Sequence, residues 1–317
     1  MEFVDLQVNG CHGVDFNGDG LTAEQLHTAC RRLHGDSVTG VLATIITDDI
    51  PRMSARLALL ARLREQDPLA QQIIRGIHVE GPFISAEPGY VGAHPPQHVR
   101  PADLDAMKCL LDAAQGLVRL VTLAPECDPG MKLTRFLAQR GVLVSAGHCN
   151  ASLEELRAAI DAGLSMCTHL GNGCPALLPR HDNVIQRVLS LSDRLTICFI
   201  ADGVHVPYVA LQNYLRVTGI ERTVFVTDCI SAAGLGPGRF SLGAQLVEVD
   251  SEGATWSADR SHLVGSAITM PVMAAKAQRA LRLTSEEIER LVLYNPRRLL
   301  AASTSPGHPP RSAEGPP

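Results

Sequence analysis

Apolar and β-branched residues gather in short runs at residues 3–8, 41–47, 73–80, 118–124, 142–146, 166–169, 196–201 and 223–227. Runs of this length with almost no polar alternation predict strands covered on both faces, as in a parallel sheet. Between them the apolar positions shift to the three-and-four spacing of amphipathic helices, over 22–33, 51–64, 102–114, 132–140, 152–162 and 207–216. Ser152-Leu153-Glu154-Glu155 adds a capping box, in which the serine accepts from the amide three residues on and the glutamate reaches back. Eight strand–helix units in one chain predict an α/β protein, a (β/α)8 barrel of the TIM type, whose functional side chains gather at the C-terminal ends of the strands. Polar residues stand at or just after those ends: Gln7, Asn9, Glu80, His148, His169, Asp202, His205 and Asp228.

Beyond the eighth run, residues 245–249 and 254–257 alternate around Asp250-Ser251-Glu252-Gly253, which predicts a β-hairpin inserted near 240–258. Helical spacing over 267–281 and 285–294 then closes the rim. Residues 1–300 thus read as a single catalytic barrel. The stretch 301–317 is rich in Pro, Ser and Gly and has too little apolar content to offset its ordering entropy, so it is expected to be a disordered tail.

Composition narrows the function classes. A net charge of -5 and only three lysines, Lys108, Lys132 and Lys276, leave no basic surplus for a nucleic-acid backbone. No stretch approaches the roughly 18 consecutive apolar residues of a membrane span. Met1-Glu2-Phe3 runs into a strand without the basic and apolar regions of a signal peptide. Nine cysteines include no CxxC pair, which suggests reduced thiols in a cytoplasm rather than a disulfide framework.

Glu80, His148 and His169 offer a carboxylate and two imidazoles from three strand ends, a donor set for one divalent ion with a position left for water; the alternative is three polar residues with no shared role. Zn suits such a set first, and Fe, Mn or Co are also accommodated. Asp228, ending an apolar strand, is either a cap or a carboxylate placed to move protons in metal-assisted amide hydrolysis. His94 sits in Gly92-Ala93-His94-Pro95-Pro96, a loop composition common at substrate contacts, although a bare loop histidine is more often plain surface. Asn172, Gly173, Arg180 and His205 follow strands six and seven and together offer a guanidinium, an imidazole and backbone amides suited to a phosphate. His12, His78 and Cys174 are assigned packing or supporting roles.

The segments Asp5-Leu6-Gln7-Val8-Asn9-Gly10, Gly76-Ile77-His78-Val79-Glu80-Gly81-Pro82-Phe83, Gly92-Ala93-His94-Pro95, Ala146-Gly147-His148, Thr168-His169-Leu170-Gly171-Asn172, Ala201-Asp202-Gly203-Val204-His205-Val206, Val226-Thr227-Asp228 and Leu263-Val264-Gly265-Ser266 are similar, in this order, to those of the N-acetylglucosamine-6-phosphate deacetylase family of the amidohydrolase superfamily. The resemblance implies an amidohydrolase barrel with Glu80, His148 and His169 as metal ligands, Asp228 as catalytic acid and base, and His94 polarising the acetyl carbonyl. It also implies that Arg180, His205, Asn172 and Gly173 hold the 6-phosphate and that Ala93, Leu263, Val264 and Gly265 frame the sugar. Gln7-Val8-Asn9 replaces the HxH of two-metal relatives, so one metal is expected per site. The family's small β-sandwich is expected to be largely absent, because the chain begins at the barrel. The expected partner is a small amino-sugar phosphate, with no nucleic acid or membrane, and a homodimer could bring Arg180 to the neighbouring site. Two further readings stand beside deacetylation: hydrolysis of another N-acyl sugar or cyclic amide, and a non-catalytic sugar-phosphate-binding barrel.

Overall fold

The computed structural model describes residues 1–303. Eight parallel strands pair in chain order: β1 Phe3–Val8, β2 Val38–Ile46, β3 Ile74–Glu80, β4 Val118–Leu123, β5 Leu143–Ala146, β6 Met166–Cys167, β7 Thr196–Ile200 and β8 Thr223–Val226. The fold class is therefore the expected α/β barrel, with a helix returning the chain outside the sheet after most strands. β2 starts at Val38, earlier than its apolar run suggested, because Thr39 and Gly40 interrupt the pattern without interrupting the pairing.

Closure between β1 and β8 is sparse. One bridge joins Val8 to Cys229, and Asn9 N donates to Cys229 O at 2.8 Å. The Asp5 carboxylate adds a side-chain clamp, accepting from Thr227 Oγ1 at 2.5 Å and from Thr227 N at 3.3 Å. Burial pushes the Asp5 carboxyl up to about 7, although these donors oppose the rise.

Two apolar layers sandwich the strands. Inside the barrel lie Leu6, Leu42, Leu120, Met166, Ile200 and Val226, with Leu293 and Leu299 as the floor. Outside, helix residues such as Leu26, Met53, Leu57, Met107, Leu156 and Leu211 are wholly or almost wholly buried against the sheet. Each such side chain contributes about 1.5–3 kcal/mol by leaving water. The capping box at helix Leu153–Asp161 forms, with Glu155 N donating to Ser152 Oγ at 3.2 Å and Ser152 N to Glu155 Oε2 at 2.7 Å.

After β8 the chain builds a three-stranded antiparallel sheet, β9 Gly238–Leu242, β10 Gln245–Val249 and β11 Thr255–Ser257, one strand more than the expected hairpin. Its apolar residues Leu242, Val247 and Val249 pack with Ile230 and Val264 on Ile46 at the end of β2, so the sheet stands over the barrel mouth. Helix Asn295–Ala302 takes in the first residues of the stretch expected to be disordered, since Leu299 is anchored in the barrel floor and Arg119 Nη1 donates to Ser303 O at 2.8 Å. The remainder of that stretch, 304–317, lies outside the described residues. Among the described residues no helix is long and apolar enough to cross a membrane.

Candidate active site

Three of the residues at the strand ends, His148, His169 and Asp228, have φ of 50°, 28° and 50°. Such backbone is uncommon outside glycine and is retained where the surrounding structure demands it. Each turns its strand abruptly, which explains why β6 stops at Cys167 before the expected end at His169. The side chains meet in a cavity of about 540 Å³ at the barrel mouth, lined by Glu80, His94, His148, His169, His205 and Asp228 among others.

Glu80 is the centre. His169 Nε2 lies 2.9 Å, His148 Nε2 3.3 Å and His94 Nε2 3.9 Å from Glu80 Oε1. Gln7 Nε2 donates to the other oxygen, Oε2, at 3.0 Å. Burial acts to raise the Glu80 carboxyl, but the three imidazoles of His148, His169 and His94 around it hold it well below the usual range. Burial, then the neighbouring His94 ring, push the His148 imidazole down to about 4. Burial acts to lower His169, but its bond to Glu80 and the charges of Glu80 and Asp228 together raise it above its ordinary value.

These features fit a divalent cation. The ligand atoms of Glu80, His148 and His169 all lie within 4.8 Å of one another. Tyr90 O accepts from His148 Nδ1 at 2.9 Å, which fixes the proton there and leaves the lone pair of Nε2 facing a carboxylate oxygen. Two acceptors in that arrangement repel unless a cation lies between them, and a neutral His148 with an ionised Glu80 is the protonation state a metal requires.

Asp228 stands beside this cluster. Its Oδ1 accepts from Asn9 Nδ2 at 2.7 Å, and burial, then the negative charge of Glu80, raise it to about 6. Gln7 and Asn9 thus each support one acidic group. The two amides that stand in place of the HxH of two-metal relatives serve as hydrogen-bond donors to the acidic groups, a role that spacing along the chain does not announce. His94 Nδ1 lies 2.7 Å from Thr47 Oγ1, and its ring meets His148 edge-on with centroids 4.3 Å apart. His205 Nδ1 donates to Asp202 Oδ2 at 2.7 Å, and Asp202 Oδ1 also accepts from the amides of Val204 and His205.

Ala93, Asn172, Gly173, Leu263 and Gly265 line the cavity with these groups. Two expected contacts do not. Val264 is 1% exposed and packs in the apolar cluster under the three-stranded sheet, because the bridge of Leu263 to Trp256 and the bond from Val264 N to Thr255 O hold this segment against β11. Arg180 is exposed on the loop between β6 and helix Val184–Leu189 and is not among the lining residues. Cys174, assigned to packing, lines the cavity instead, as do Trp256 and His262 from the sheet and the loop after it. Trp256 Nε1 donates to Asp250 Oδ2 at 2.8 Å, a contact that the turn residues 250–253 place but that no spacing rule announces.

No protein-family model matches the chain. N-acetylglucosamine-6-phosphate deacetylase of Homo sapiens is 36% identical over 321 residues, covering 96% of this chain and 75% of the relative. N-acetylgalactosamine-6-phosphate deacetylase of Shewanella sp. is 35% identical over 272 residues, 84% of this chain and 65% of the relative. The chain spans 61% of the bovine relative and 66% of that from Bacillus subtilis. The solved Mycobacterium smegmatis N-acetyl-D-glucosamine-6-phosphate deacetylase, in complex with N-acetyl-D-glucosamine-6-phosphate, superposes with a TM-score of 0.85 at 29% identity, over 96% of this chain and 80% of that one. With its barrel, its cluster of Glu80, His148, His169 and Asp228 and these likenesses, the chain belongs to the N-acetylglucosamine-6-phosphate deacetylase family of the amidohydrolase superfamily.

Proposed function

We propose that this protein removes the acetyl group from an N-acetylamino-sugar 6-phosphate, N-acetylglucosamine 6-phosphate first, giving the free amine and acetate. The observation that carries this reading is Asp228, buried and raised to about 6, in the same cavity as the Glu80, His148 and His169 cluster. A carboxyl with that affinity can take a proton from water near neutrality and give it up again.

Glu80, His148 and His169 would hold one divalent ion, zinc before iron, manganese or cobalt. When bound, the ion supplies a Lewis acid that acidifies water and polarises a carbonyl. The protein's own groups do the rest. Asp228 accepts the proton of the attacking water and returns it to the sugar nitrogen as the C–N bond breaks, because an amide anion is too poor a leaving group. Asn9 holds the Asp228 carboxylate in place. Thr47 Oγ1, 2.7 Å from His94 Nδ1, holds this ring with Nε2 on the side of Glu80, where it can donate to the acetyl oxygen. Ala93, Leu263 and Gly265 border the sugar.

The phosphate is assigned to His205 and the Asn172-Gly173 backbone, with Arg180 contributed by a second copy of the chain. The last point rests on the exposure of Arg180 outside its own cavity. The reaction is placed in the cytoplasm, where sugar phosphates and free thiols coexist. Acetate release from N-acetylglucosamine 6-phosphate, its galactosamine epimer and both unphosphorylated sugars, each with added Zn, Fe, Mn or Co, tests the proposal. Turnover of the phosphorylated sugars alone supports it. Turnover independent of phosphate favours hydrolysis of another N-acyl sugar, and none with any metal favours a binding barrel.

A further inference from the structure

At the end of the barrel opposite the catalytic mouth, the starts of β2, β3 and β4 border a cleft of about 550 Å³ lined by Arg75, Arg119, Arg297, Gln72, Thr39 and Glu2 among others. Three guanidinium groups share this space with one carboxylate, Glu2, and that carboxylate is already paired with Arg297 at 2.6 Å. Among the described residues no carboxylate pairs with Arg75 or Arg119. Arg75 makes only a long 3.5 Å contact to Gln72 O, and Arg119 Nη1 uses one donor on Ser303 O.

The backbone is shaped to hold these side chains side by side. A Cβ on Gly40 would lie 2.7 Å from Arg75 Cγ, and one on Gly76 would collide with the stem of Arg119. Glycine on each strand therefore lets an arginine from the next strand lie flat across it, so that two stems step across β2, β3 and β4 in register. The two cations feel each other: burial, then the charge of Arg75, lower the Arg119 guanidinium below its ordinary value. Two guanidinium groups held side by side, Arg119 half-buried and Arg75 exposed, offer a forked set of donors that matches a tetrahedral oxyanion.

We propose that this cleft is a second anion site, separate from the catalytic cavity, which takes the phosphate group of a small phosphorylated metabolite. On a chain whose formal charge is -5, the cleft gathers three arginines in one place. Its volume suits a small molecule.

Calorimetric titration of inorganic phosphate into the full-length, metal-loaded protein at constant ionic strength tests this, with wild type set against Arg75→Gln, Arg119→Gln and the double variant. Phosphate bound in the catalytic cavity is common to all four proteins, so the difference isolates the cleft. Each single variant should weaken one binding event by about tenfold or more, the usual scale for a charge-assisted hydrogen bond, and the double variant should abolish it, while KM and kcat for the sugar substrate stay at wild-type values. Isotherms that are the same in all four proteins would overturn the proposal. Should the double variant fail to fold, Arg75→Gln alone decides, because this exposed residue keeps its stem and tenfold weaker binding is still required of it.

Discussion

Replacing Asp228 with asparagine should make the protein slower and more stable at once. The carboxyl is raised from 3.8 to about 6 by burial and by Glu80, so above pH 6 the folded protein carries an ionised group it would rather keep protonated. That difference converts to about 3 kcal/mol at 1.36 kcal/mol per tenfold change. The sign follows from linkage: the unfolded chain releases this proton near 3.8 and the folded chain only near 6, so the penalty is absent below pH 4, grows between 4 and 6 and is full above that. Asparagine keeps the acceptor for Asn9 Nδ2 and never ionises. Denaturant melts of the chelated protein should therefore coincide with wild type at pH 4 and favour Asp228→Asn by about 2–3 kcal/mol at pH 8. With metal restored, kcat should fall by about 10²-fold to 10⁴-fold at little change in KM, the range for a lost general acid/base. A variant that lost stability at pH 8, or that kept wild-type kcat with metal bound, would show Asp228 to be a structural carboxylate and refute the reasoning.

Glu80→Ala, His148→Ala and His169→Ala should each lose bound metal together with activity, as measured by elemental analysis after dialysis; full occupancy in any one removes that residue from the ligand set. Arg180→Ala should raise KM for the phosphorylated sugar about tenfold or more and leave kcat nearly intact, because a phosphate remote from the amide binds alike in ground and transition states; an unchanged KM would remove Arg180 from the phosphate site. Arg56→Ala should destabilise the fold by about 3 kcal/mol in denaturant melts, since it strands a buried Asp48 now paired at 2.9 Å, and a loss under 1 kcal/mol would show that Arg52 and His98 suffice.

The barrel was legible because strands buried on both faces write themselves as unbroken apolar runs, and because polar residues at strand ends break those runs abruptly. What the chain hid depended on distance in sequence. Strand β9, Gly238–Leu242, alternates half-buried and exposed residues and reads as a loop until β10 lies beside it. Val264 sits inside a motif whose flanking residues line the cavity, yet its pairing with β11 turns it into the apolar cluster under the sheet. Arg180 carries no local mark of where its side chain ends up, since a guanidinium on an exposed loop looks the same whether it serves its own cavity, another copy or water. Thr47, Tyr90 and Asp202, which orient His94, His148 and His205, were reachable only by asking what holds each imidazole.

The sparse join between β1 and β8 gives the barrel a place to breathe. Thr227 and Asn9 lie on its two sides, and the residue after Thr227 is the carboxylate that Asn9 holds. A fluctuation that parts the two strands would therefore withdraw the support of the Asp228 carboxylate in the same movement, so local opening and loss of the proton transfer proposed for it would be one event. Asp5 governs how often it happens: its carboxyl, raised to about 7, enters the join protonated below neutrality and must be ionised in a dry setting above it, which loosens the seam as the pH rises. The ionisation of Asp5, rather than the stability of the whole barrel, would then set the balance between joined and parted seam in mildly alkaline solution.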